Sequence, residues 1–118
     1  MQEPDRLYLP LIQQSGGSVQ RAQITGIGVA GDRYVVSFTT TGFVPQLPGQ
    51  HVHFFFNTVP PEQAGAPGTG IWHVHGSLTS YNGITLAERP TGASQICVLI
   101  ANPDHSVQFN TGNCYNLP

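Results

Sequence analysis

Ten prolines and fourteen glycines punctuate this 118-residue chain and cut it into short β-branched and aromatic runs. Breakers at that density leave room for strands joined by turns, and helix signals are almost absent. "RAQITGIGV" (21–29) reads as a first strand, with a bulge expected at Gly26 that resets the alternation. "AGD" (30–32) turns the chain into "RYVVSFTT" (33–40), where Tyr34, Val36 and Phe38 share one face. Further strands are expected at 51–58, 71–77, 84–87, 95–101 and 106–110, with "VPPEQAGAPGTG" (59–70) as a long loop. About seven strands in roughly one hundred residues predict an all-β fold, an immunoglobulin-like or related Greek-key sandwich.

A chain of this length is one domain able to bury its own core. Residues 1–18, ending in Ser-Gly-Gly-Ser, read as a linker segment, and 19–118 as the β domain. The start lacks a basic stretch followed by an apolar run, so it is not expected to be a signal peptide. Charged residues are 8% of the chain and the formal net charge is −2, without a basic stripe. Nucleic acid and anionic membrane are therefore poor partners. No apolar run approaches the ~18 residues a membrane span needs.

Cys97 and Cys114 are the two cysteines. Cys97 lies in the apolar run "QICVLIA" and Cys114 in the polar tail "NTGNCYNLP". A bridge between them would pin the C-terminus onto a core strand and imply an oxidising, extracytoplasmic setting, secreted or periplasmic. The alternative is two free thiols.

Four of the five histidines stand in two copies of His-Val-His, in "HVHFFFN" (51–57) and "IWHVHGS" (71–77). Alternation puts His51, His53 and Phe55 on one face of their strand and Val52, Phe54 and Phe56 on the other. It likewise separates His73 and His75 from Trp72 and Val74. The expected core is Val52, Phe54, Phe56, Trp72, Val74, Ile96, Val98 and Ile100. Both histidine pairs are then expected on the opposite, solvent side of neighbouring strands, close enough to share an ion. His105, in the turn "NPDH", would complete the set, with Asp104 beside it as a hydrogen-bond partner for an imidazole. The plainer reading makes these histidines solvated polar positions or rings stacked on aromatics. Doubling of the motif in a charge-poor chain favours ligands: His51, His53, His73, His75 and His105.

With Met1 the only methionine, a thioether site drops out, and if the cysteines are bridged, thiolate sites drop out as well. What remains is imidazole ligation of a divalent transition metal, Cu(II) or Zn(II). The exposed histidine face would also let two copies of the chain share an ion, a route to a homo-oligomer.

The stretches Gly49 to His53, His73 to Gly76, Leu86 to Gly92 and Ile96 to His105 together resemble a family of small secreted or periplasmic histidine-rich β domains of unassigned function. The likeness spans about residues 49–107. It implies a sandwich with clustered histidines and supplies no activity. His-Val-His is also similar to a stretch of copper-zinc superoxide dismutase, but the likeness ends at those three residues.

The reading that follows is an extracytoplasmic metal-binding domain, acting as carrier, buffer or sensor and not as a catalyst. Two others compete with it. One is an adhesion module contacting a protein or glycan; the other is a metal-dependent redox enzyme. No nucleophile-elbow motif is present.

Overall fold

The computed structural model describes residues 19–118; the linker expected over 1–18 lies outside them. Among the described residues there are seven strands, two short 3-10 turns and no α-helix. The strands are β1 (Arg21–Ala30), β2 (Arg33–Thr41), β3 (His51–Phe56), β4 (His73–His75), β5 (Gln95–Ala101), β6 (Val107–Gln108) and β7 (Cys114–Asn116). The all-β class and the strand count match expectation. The strands divide into a two-stranded β1-β2 hairpin and a five-stranded antiparallel sheet in the order β4-β3-β5-β6, with β7 also pairing β5. That division does not confirm an immunoglobulin-like Greek key.

In the hairpin, Ala30 pairs with Arg33 across a two-residue turn, and Gly31 takes φ +62°, a conformation glycine adopts without a Cβ clash. The register slips between Ile24 and Gly26, so the extra residue is Thr25, one position before the expected bulge. "ITLA" is not a strand. Its Thr85 makes an isolated bridge to Arg33, and Leu86–Glu88 close into a 3-10 turn capped by Thr85 and Glu88. The capping box satisfies the Thr85 N–H, while Leu86 N–H donates to Asp32 O and Tyr34 N–H donates to Ile84 O, which ties the segment to the hairpin through a single bridge.

The hairpin covers one face of the sheet. Tyr34, Val36 and Phe38 are buried, as their alternation predicts, against Val52, Phe54, Phe56, Ile96, Val98 and Ile100. Phe38 meets Phe54 edge-on at 5.4 Å between ring centroids. The opposite face is covered as well. Phe55, Ala64, Cys97 and Leu99 form a second cluster with Val59, Trp72 and Val107 against it. β3 is consequently buried along its whole length, on both sides. Trp72 and Val74 are only half-buried, and Trp72 packs on this second cluster, so neither belongs to the first core as expected.

Cys97 and Cys114 are bridged and sit directly opposite each other in the β5–β7 register. Closing a loop of 17 residues restricts the unfolded chain, an effect of about 3 kcal/mol in the loop-entropy account. The Cys97→Ala/Cys114→Ala double variant is expected to lose about that much in urea unfolding. A loss below ~1 kcal/mol would mean that β7 holds its place without the crosslink.

Candidate metal centre

Three of the five histidines converge. His51 and His53 project from β3 into the second layer, and His105 reaches the same point from the turn between β5 and β6. His51 Nε2 lies 3.0 Å from His53 Nε2 and 3.2 Å from His105 Nδ1. All three ligand nitrogens fall within 4.8 Å of one another. His51 and His53 have no solvent exposure, whereas His105 is partly exposed.

The tautomers of the two buried rings follow from their other nitrogens. His51 Nδ1 is 2.9 Å from the Gly49 carbonyl, and His53 Nδ1 is 2.8 Å from the Ala64 carbonyl. A carbonyl oxygen can only accept, so each Nδ1–H donates, and each neutral ring turns its Nε2 lone pair inward. The 3.0 Å approach of two such nitrogens then sets lone pair against lone pair. His105 Nδ1–H can satisfy His51 Nε2, which leaves His53 Nε2 buried without a donor. A cation at the meeting point removes this conflict.

A proton is poorly suited to that role. Burial drives the His53 pKa down to about 4, beyond what the Ala64 carbonyl restores, and the neighbouring His51 and His105 lower it further. Burial likewise lowers His51, opposed by its bond to Gly49 and reinforced by His105. A metal ion fits better. Two imidazole nitrogens each about 2.0–2.1 Å from one ion lie roughly 2.8–3.4 Å apart at angles between square and tetrahedral. The His51–His53 and His51–His105 separations of 3.0 and 3.2 Å fall within that range. Donation of the remote ring N–H to a backbone carbonyl is also how ligating histidines are commonly oriented.

The elements that place these groups are local. Gly49 lies two residues before His51, the first residue of β3, so its carbonyl is within reach of that ring. The 59–70 segment folds over the second face, burying Ala64 completely and aiming its carbonyl at His53. The segment is tied to the third ligand too, because Ala66 N–H donates to the His105 carbonyl at 2.8 Å. A Cβ on Gly65 would come within 2.5 Å of that same carbonyl oxygen, so glycine is what permits the close approach. His105 itself has φ +70°, held in a turn where its N–H donates to Asn102 O. Trp72 lies flat on His53, with centroids 5.4 Å apart and planes 9° apart.

Several expectations need correction here. The face bearing His51 and His53 is not on the solvent side; it is covered by the 59–70 segment and the 102–107 turn. His73 and His75 do not join it. β4 pairs with β3 so that Phe54 faces His73 and Val52 faces His75, which puts the second His-Val-His on the opposite side of the sheet. There His75 Nε2–H donates to the Thr79 carbonyl at 2.7 Å, and His73 contacts Glu88 and Tyr81. Asp104 does not orient an imidazole either. Its carboxylate accepts from the N–H and hydroxyl of Ser106, and these bonds hold its pKa below the usual range. The carbonyls of Gly49 and Ala64 leave no mark in the sequence, since any residue type can supply a carbonyl. Trp72, immediately before His-Val-His, packs in the second layer and not in the first core. No family model, curated protein or solved structure matches this chain.

Proposed function

We propose that this domain binds one divalent transition metal, Cu(II) or Zn(II), through His51, His53 and His105. One observation carries the reading: three imidazoles converge, and the buried His53 turns inward an Nε2 lone pair that no donor satisfies. An all-nitrogen set suits either ion. Three protein ligands leave a further coordination position, and His105 gives the site a partly exposed side. That combination suits an ion that is taken up and released, as in a carrier, buffer or sensor. Catalysis has less support, because the nearby carboxylate, Asp104, is engaged by Ser106 and Glu88 lies across the sheet with His73. The disulfide favours an extracytoplasmic setting. Among the described residues no helix is long and apolar enough to cross a membrane.

Melting curves of chelator-treated protein with Zn(II) or Cu(II) at pH 7.5 test the assignment. Binding to the folded form alone adds about 2.7 kcal/mol at a hundredfold excess over the dissociation constant. His105→Ala removes a partly exposed ligand with little effect on folding, and should weaken affinity by more than the ~10–100-fold seen for groups that merely orient ligands. His75→Ala, on the far face, should leave affinity unchanged. No stabilisation by either ion, or equal losses in the two variants, would remove the metal site.

A further inference from the structure

The second His-Val-His takes part in a hydrogen-bond relay that metal binding does not use. His73 Nε2 lies 2.7 Å from Glu88 Oε1, and His73 Nδ1 lies 3.1 Å from the Tyr81 hydroxyl. Glu88 is fixed in turn, its Oε2 accepting from the N–H and hydroxyl of Thr85, each at 3.1 Å. Its pKa is raised by burial but lowered more by the Thr85 and His73 bonds, and the net result is a carboxyl below its ordinary value. An ionised carboxylate can only accept, so neutral His73 carries its proton on Nε2 and offers the Nδ1 lone pair to the phenol. The chain therefore runs in one direction, Tyr81 O–H to His73 to Glu88.

The phenol is restrained from several sides. Its ring stacks on Phe54 at 5.3 Å and 19°, and lies against His75 at 5.0 Å. Its backbone pairs with Val36 through two bonds. Gly83 has no Cβ, and one there would fall 2.2 Å from the hydroxyl oxygen, so the hydroxyl fits directly against the backbone. The half-buried hydroxyl is thus held between the His73 ring and the Gly83 backbone. Its ionisation alone is disfavoured, since burial first and Glu88 second raise its pKa. Losing an electron and a proton together avoids forming a phenolate, and the pre-aligned Nδ1 lone pair supplies the proton acceptor.

We propose that Tyr81 is a proton-coupled one-electron donor that quenches oxidising radicals, with His73 as proton acceptor and Glu88 as the group that positions His73. In the step, the phenol O–H bond breaks and one electron passes to the incoming radical oxidant, which is reduced. The proton moves to His73 Nδ1, and Glu88 stabilises the imidazolium. Tyr81 is left as a neutral phenoxyl radical. The relay lies on the other face of the sheet from His51 and His53 and shares no residue with the metal site.

Pulse radiolysis with azide radicals on metal-free protein at pH 7.5 tests it, following the tyrosyl absorption and its EPR signal. Tyr81→Phe keeps the ring on Phe54 and removes only the hydroxyl; the fast tyrosyl component should vanish. In the parent protein that component should slow in D2O. His73→Phe should slow it by about a hundredfold, the lower end of general-base contributions, and abolish the isotope effect. Glu88→Gln, which preserves shape, should give an intermediate rate. Parent-like tyrosyl formation in Tyr81→Phe would overturn the proposal, as would equal rates and isotope effects in His73→Phe and the parent. Circular dichroism of each variant confirms that the fold is retained.

Discussion

Phe54→Ala is expected to destabilise the metal-free protein by about 3–5 kcal/mol in urea unfolding, the range for truncating a fully buried phenylalanine. Phe54 has no solvent exposure and stands at the centre of the hairpin–sheet interface. Phe38 meets it edge-on, and Tyr81 stacks on it from the loop side. Both partners are held by their own backbone pairing, to Ile24 for Phe38 and to Val36 for Tyr81, so neither can collapse freely into the space left behind. That places the cost in the upper part of the range. His53→Ala is the informative control. A histidine on a solvent-facing strand side would cost almost nothing to remove. Here the substitution deprives the buried Ala64 carbonyl of its donor, a penalty of about 1–3 kcal/mol. It also removes the opposed lone pairs, which offsets part of the loss. A change below ~0.5 kcal/mol for His53→Ala would return the ring to the solvent side.

The two substitutions concern adjacent residues of one strand, and their comparison marks what was legible in the sequence. Alternation within β3 was read correctly: Val52, Phe54 and Phe56 share the hairpin side, and His51, His53 and Phe55 share the other. What alternation cannot supply is the register between strands. The two His-Val-His motifs are joined by a long Pro- and Gly-rich connection with no tight turn to fix the pairing. The observed register sets His53 opposite Val74. A slip of one residue would have set histidine against histidine and gathered four imidazoles on one face. The five-ligand expectation rested on that alignment.

The burial of the histidine face does have a signal in the sequence. "QICVLIA" is apolar at every position after Gln95, and an unbroken apolar run marks a strand covered on both sides. Cys97 and Leu99 fall on the face shared with Phe55 and His53, and they are buried there. Phe55 between a histidine pair and Asn57 pointed the same way. What covers this face was not legible, because the 59–70 segment has little regular structure and its docking depends on Ala64, Gly65 and Ala66 backbone groups. Turn position is the one sequence cue to His105, and its convergence with His51 depends on the tertiary fold.

Burial without a partner cation has a consequence for acid stability. In chelator-treated protein, stability should fall by about 3 kcal/mol between pH 7 and pH 4, with His53 as the main contributor. In the unfolded chain His53 takes up a proton near its ordinary pKa of ~6.5. In the folded protein it resists protonation until about pH 4. Between those values the unfolded state binds more protons than the native one, so stability rises with pH and is lost as the solution is acidified. At 1.36 kcal/mol per unit, a displacement from ~6.5 to about 4 amounts to roughly 3 kcal/mol. His51, displaced in the same direction, steepens the fall. The carboxyls with lowered pKa, Glu88 and Asp104, act only at the acid end of this window and below, which leaves its upper part to the histidines. A saturating metal ion should increase the loss, since the bound imidazoles must be neutral and protons compete for them. Urea unfolding at half-unit steps of pH, with and without Zn(II), measures both slopes. Replacement of His53 by Gln removes the titrating group while keeping an amide that can still donate to Ala64, and the slope between pH 6.5 and pH 4 should flatten accordingly. A parent profile already flat across this interval would mean that the buried imidazoles accept a proton at their ordinary pKa. The opposed lone pairs would then be bridged by hydrogen, and the case for a metal ion between them would fall.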